Sequence, residues 1–96
     1  MSSESGLVGA WSLWNFTLSS EAKSVFAKTA GKLMGVDYTA LAFATQVVAG
    51  LNYCFLCEAK VVAPGQPQFA ALIYVYAPPS GEPHITEIRR INPGDN

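Results

Sequence analysis

Charge is what this 96-residue chain has least of. Only 14% of its residues are Asp, Glu, Lys or Arg, and the formal net charge is −1. No basic run exceeds the pair Arg89–Arg90, so the concentrated positive surface that nucleic acid needs is missing. Histidine is nearly absent too. With His84 alone there is no Ser–His–Asp set, and a Cys–His pair could come only from Cys54 or Cys57 with His84. A four-ligand zinc site lacks donors, and no glycine-rich phosphate loop is present. The expectation is a protein that is not an enzyme, with no catalytic residue, no metal and no cofactor. No apolar run approaches the ~18–20 residues of a membrane span, so no membrane partner is expected. The opening "MSSESGLVGAW" has neither the basic nor the apolar region of a secretory signal. As it stands the sequence reads as cytoplasmic; with a native leader removed, it would be secreted or periplasmic.

The two cysteines stand as "CFLC", Cys54 to Cys57, a spacing that suggests redox or metal chemistry. Their surroundings, "NYCFLCEAKVV", read as strand. Residues three apart on a strand point to opposite faces, where two sulfurs cannot readily bond. Both are expected as free structural thiols, with Cys54 on the outer face and Cys57 toward the core.

Half of the residues are apolar, enough for one core in one small domain. No repeat, low-complexity stretch or linker interrupts the chain. It is read as a single domain over 1–96, with a flexible arm over 1–8 and a frayed tail over 92–96. "LVGAWSLWNF" runs from that arm into a short strand, and of Trp11 and Trp14 one is expected to face the core and the other the surface. Leu18, Ala22, Val25, Phe26, Ala30 and Leu33 then recur at intervals of three and four, the stripe of an amphipathic helix. Thr17 or Ser19 can cap its start, with Glu21 in the first turn. Gly35 is placed to end it.

Beyond Val36 the period becomes two. In "DYTALAFATQVV" one face carries Leu41, Phe43 and Val47, the other Ala40, Ala42, Ala44 and Gln46. In the next strand Tyr53, Phe55, Cys57, Ala59 and Val61 form the core set, with Asn52, Cys54, Glu58 and Lys60 outward. "FAALIYVYA" is apolar on both faces, and "HITEIRRI" alternates only if a bulge interrupts it. "APGQPQ" and "PPSGEP" are turns. Tight turns between successive strands imply an antiparallel meander. The fold class is therefore α+β, one amphipathic helix packed across an antiparallel sheet of four to five strands.

Against that frame one stretch is odd. "QVVAG", Gln46 to Gly50, ends a strand in an uncharged tip with almost no side chains. Together with the order of elements, it resembles the cystatin superfamily, inhibitors of papain-like cysteine proteases whose central hairpin carries Gln-x-Val-x-Gly. Gln46, Val48 and Gly50 match that pattern, and "LVGA", Leu7 to Ala10, resembles the Leu-Val-Gly-Gly of the secreted members. The approach "IYVYAPPSGEP" resembles the second hairpin of the family. It departs where an aromatic follows the proline, because Pro79 is followed by Ser80 and Gly81. The two disulfides of the secreted members are absent, as in the intracellular stefins.

The resemblance implies a cystatin-like fold and a wedge that enters a V-shaped protease cleft. Leu7 and Val8 would fill apolar subsites, with Gly9 as the joint. Val47, Val48, Ala49 and Gly50 would form the narrow plug, Gln46 would brace it, and Pro79, Ser80 and Gly81 would form the second loop. The implied function is reversible, tight-binding inhibition of a papain-like cysteine protease by a monomer. A swapped dimer hinged at Ala49–Gly50–Leu51 is the alternative assembly. The rival reading is a cystatin-like binding or assembly module that inhibits no protease.

Overall fold

A computed structural model describes residues 9–94 of the chain. One helix, α1 (Ser20–Lys28), precedes four strands: β1 (Val36–Val48), β2 (Gly50–Val61), β3 (Gln68–Ala77) and β4 (His84–Ile91). The strands form one antiparallel sheet in the order β1-β2-β3-β4, and α1 packs across one of its faces. This α+β arrangement is the one expected from the sequence, and it is consistent with a cystatin-like fold.

The helix begins where a side chain can replace a missing backbone partner. Of the two candidate caps, Ser19 takes the role: its Oγ accepts from the Ala22 amide at 3.1 Å, and Glu21 lies in the first turn. The helix ends earlier than its apolar stripe suggests. Thr29 Oγ1 donates to the Val25 carbonyl at 2.8 Å, and the Thr29 backbone leaves helical geometry at φ −119°. A branched residue with a competing hydroxyl, followed two residues on by Gly31, is a poor continuation. Ala30–Lys32 form a single 3₁₀ turn instead, and Leu33 is left exposed. Gly35 does adopt positive φ. It closes the loop after that turn, where its carbonyl accepts from the Val62 amide at 2.9 Å.

Alternation in β2 and β3 builds the core. Tyr53, Phe55, Cys57, Ile73 and Val75 are buried on one face and meet Ala22 and Ala30, with Leu18, Val25 and Phe26 packed beside them. Phe26 from the helix stands edge-on to Phe55, centroids 5.1 Å apart, the preferred geometry for two rings. The bulge expected in the last strand pair is present: Tyr74 pairs with Glu87 and Val75 with Ile85, so Thr86 is the extra residue.

Three expectations need correction. A second bulge lies in β1, where Ala40 pairs with Cys57 and Ala42 with Leu56. It extrudes Leu41, which is exposed, and restores Ala40 and Phe43 to the helix-facing side. The expected set Leu41, Phe43, Val47 therefore loses its first member. Next, the N-terminal strand is two isolated bridges, Trp11 to Gln46 and Asn15 to Phe43. Gly9, Ser12 and Asn15 donate amides to the carbonyls of Val47, Thr45 and Phe43 at 2.8–3.0 Å. The segment thus advances three residues for every two of β1, and no regular ladder can form. Finally, the face away from the helix is covered. Neither Trp11 nor Trp14 joins the helix-side core. Both line a recess above Cys54 on the second face, so Cys54 is buried rather than outward.

Candidate functional site

Turns alternate between the two ends of a meander. The β1–β2 tip and the β3–β4 loop therefore share one end, and the arm segment starting at Gly9 reaches the same end beside Val47. The candidate site consists of these three backbone segments.

The first tip is as narrow as a hairpin permits. Val48 pairs directly with Gly50, leaving Ala49 alone at the apex. Gly50 adopts φ +95°, which side chains rarely tolerate. It also lies against the second hairpin: a Cβ there would stand 3.0 Å from Pro78 Cα and 3.1 Å from its carbonyl carbon, and would press on the Ala77 carbonyl oxygen. Glycine is thus required by backbone conformation and by close approach together, and that approach sets the two hairpins side by side.

Polar side chains hold the tip from behind. The Gln46 side-chain amide donates to the Gly9 carbonyl at 2.9 Å, while its Oε1 accepts from Asn52 Nδ2 at 2.7 Å. The Gly9 amide donates to the Val47 carbonyl at 3.0 Å. Gln46 therefore ties the arm to both stems of the hairpin. On the other side the Tyr76 hydroxyl donates to the Ala49 carbonyl, anchoring the apex to β3. Tyr76 also stands edge-on to His84, centroids 5.7 Å apart, at the base of the second loop.

At the apex the side chains are small or apolar. From Gln46 to Leu51 and from Tyr74 to Gly81 no residue is charged. Ala49, Pro79, Ser80 and Gly81 are exposed, and Val47, Val48 and Pro78 are half-buried. Leu7 and Val8 lie outside the described residues, so the arm enters the site only from Gly9 onward.

Gly9, the Gln46–Gly50 tip and the Pro79–Gly81 loop are brought to the same end as anticipated. Tyr76, Asn52 and Trp11 were missed as supporting residues. The signal for Asn52 is positional, since a β1–β2 tip at Ala49 pairs it with Gln46; Tyr76 follows only once the β2–β3 turn sets the next register, and nothing local marks Trp11.

The thiols take no part in this end of the molecule. Burial pushes the Cys57 thiol up to about 12, with neighbouring Cys54 adding to the shift. Burial also raises Cys54, against the opposing hydrogen bond from Tyr74. Both are therefore neutral thiols near pH 7, and the nucleophile is the thiolate. Among the described residues no three His, Cys, Asp or Glu side chains gather to hold a metal, and no helix is long and apolar enough to cross a membrane.

No family model, curated protein or solved structure matches this chain. Its character is therefore read from its own residues: a narrow, backbone-rich edge, braced from behind, whose β1–β2 tip carries no charged side chain.

Proposed function

We propose that the protein is a reversible inhibitor of papain-like cysteine proteases, a cystatin-like wedge that occupies the catalytic cleft without being cut. The observation that carries the reading is the Gln46–Gly50 tip, set beside the Pro78–Gly81 loop by the glycine contact and tied to Gly9 by Gln46. A cleft-filling partner needs a convex edge with little to desolvate, and the Gln46–Leu51 tip carries no charge; in the second loop the one charged residue is Glu82, after Gly81. It also needs an edge that is already ordered. Each flexible side chain frozen on docking costs about 0.5–1.5 kcal/mol, and here Ala49 and Gly50 have almost none to freeze. In this reading Val47, Val48 and Ala49 make the contact, Gln46 and Tyr76 hold it in shape, and Leu7, Val8 and Gly9 extend it along the cleft.

One observation favours a second reading, a binding module with no inhibitory activity. The second loop presents Pro79, Ser80 and Gly81 where the resemblance calls for an aromatic anchor, and anchors of that kind carry much of the energy of an interface. Titrating active-site-counted papain with the folded protein separates the two. The inhibitor reading expects stoichiometric, reversible loss of turnover, unaffected by reductant concentration. Unchanged turnover at a large molar excess overturns it and leaves the binding module.

A further inference from the structure

The sheet face away from the helix holds a second feature, independent of the protease reading. Strand pairing sets Ala44, Cys54 and Tyr74 in one row across it, Ala44 opposite Cys54 and Cys54 opposite Tyr74. Leu72 belongs to the adjacent row, opposite Leu56. Two of the three residues in the first row are small, so the row is low from Ala44 to Cys54 and rises at Tyr74, leaving a dip. Trp11 and Trp14 line this dip without filling it, and a cavity of about 180 Å³ remains, open to solvent, with Ala44, Cys54 and Leu72 as its base, Trp11, Trp14 and Tyr74 as aromatic walls, and Ser12 completing the lining. Trp11 meets Tyr74 edge-on at 6.0 Å between centroids. Both tryptophans stay more than a third exposed.

We infer that this cavity is a binding site for a small neutral aromatic molecule of one or two fused rings. Size is the first argument: an enclosed apolar cavity of ~150 Å³ accommodates benzene, and this somewhat larger recess, open on one side, seats an indole-sized group with one edge in solvent. Lining is the second. Ring faces and edges around a shallow apolar base favour a flat π-system, which can stack or stand edge-on against them. Charge is the third. Among the described residues no ionised side chain lines the cavity. The Arg89 guanidinium lies 5.4 Å over the Tyr74 ring and is paired through Nε with Glu87 at 3.0 Å. A ligand carboxylate would lose its hydration and meet the negative faces of the rings. With its proton directed at Cys54, the Tyr74 hydroxyl oxygen keeps a lone pair for one polar handle, such as an indole N–H or a phenol O–H.

The chain has two tryptophans, so an ¹⁵N-labelled sample gives two indole N–H signals, both from residues that line the cavity. Titration of the full chain with unlabelled indole should move both signals along a saturating curve, with smaller shifts at the Ala44, Cys54 and Leu72 amides and none at Ala49 or Ser80. Ala44→Leu, which fills the base, should weaken binding at least tenfold. Trp14→Ala, at a partly exposed wall, should do the same for the remaining signal while spectral dispersion shows an intact fold. Trp14→Ala decides the matter if the leucine variant fails to fold. Linear, unsaturated shifts up to the solubility limit of indole would overturn the inference, as would saturating shifts of equal affinity in the folded variants.

Discussion

Gly50→Ala puts the construction of the candidate site to a quantitative test. Two costs are involved. The first is conformational: at φ +95° a Cβ strains the backbone by roughly 1–2 kcal/mol. The second is steric. The new methyl would stand 3.0 and 3.1 Å from two backbone carbons of Pro78, where carbon atoms prefer about 3.5–4.0 Å. The obstacle is backbone, with no side chain to swing aside, so the two hairpins must part at the tip. Overpacking of this kind costs about 1–3 kcal/mol, giving roughly 3 kcal/mol in all. With a urea slope of about 1 kcal/mol/M for a small domain, the unfolding midpoint should fall by roughly 3 M. Gly65→Ala is the matched control. Gly65 has φ +83° and nothing within 4 Å of its notional Cβ, so only the conformational cost of about 1–2 kcal/mol remains. Urea unfolding followed by far-UV circular dichroism reads both variants. Equal midpoints for the two would refute the close packing of Gly50 on Ala77–Pro78, and with it the account of how the hairpins are set together.

Three further expectations follow from the same geometry. Ala49→Asp, at an exposed apex, should leave the urea midpoint within about 0.5 kcal/mol of the parent while weakening papain inhibition at least about 100-fold, because a buried unpaired carboxylate costs roughly 3 kcal/mol or more; undiminished inhibition would remove the tip from the interface. Tyr76→Phe deletes the hydrogen bond to the Ala49 carbonyl and should cost about 1 kcal/mol, seen as a fall of roughly 4–8 °C in Tm; an unchanged Tm would mean that the bond contributes nothing. Burial raises Cys57 from 9.0 to about 12, so the fold favours the protonated thiol. That contribution is complete below pH 9 and is lost as pH climbs toward 12. Urea midpoints should therefore fall between pH 9 and 12, with Tyr53, also raised by burial, acting in the same direction; a flat profile there would contradict the burial of Cys57.

Local signals in the sequence carried the fold because they agree with one another. Ser19 followed by Glu21, the alternation of Tyr53, Phe55 and Cys57, and the proline–glycine turns each specify one element, and only one meander accommodates them. Two of the failures share a cause: at Leu41 and Cys54 a long-range contact decides. Nothing in "TALAF" distinguishes Leu41 as the bulged residue; the choice is made by Ala40 meeting Cys57 and Ala42 meeting Leu56 across the sheet. Cys54 lies on the outward parity of β2, as its position implies, yet Trp11 and Trp14, some forty residues earlier, line the recess above it. Thr29 ends the helix through its own hydroxyl, which an apolar stripe does not register. At the candidate site the residues of the tip were visible because their character is unusual for a strand end. Tyr76 and Asn52 were not, since a Tyr or Asn on a strand is unremarkable until register brings it against Ala49 or Gln46.

The arm from Gly9 to Asn15 also bears on how the molecule behaves in a concentrated solution. Any open sheet has two margins of unpaired backbone, and each is a template on which a foreign strand can grow. On the β1 margin, the arm occupies the carbonyls of Phe43, Thr45 and Val47, while the Leu41 bulge and Asp37 disturb the remainder. On the β4 margin, Glu87, Arg89 and Arg90 stand exposed, placing charge where another strand would have to lie. With a net charge of −1, mutual repulsion does little to keep copies apart, so colloidal stability depends on these local guards. Trimming the chain back to Phe16 would therefore remove a guard as well as a suspected contact. It would bare an apolar strand and invite intermolecular sheet growth, and light scattering would have to accompany any activity measured on the shortened protein.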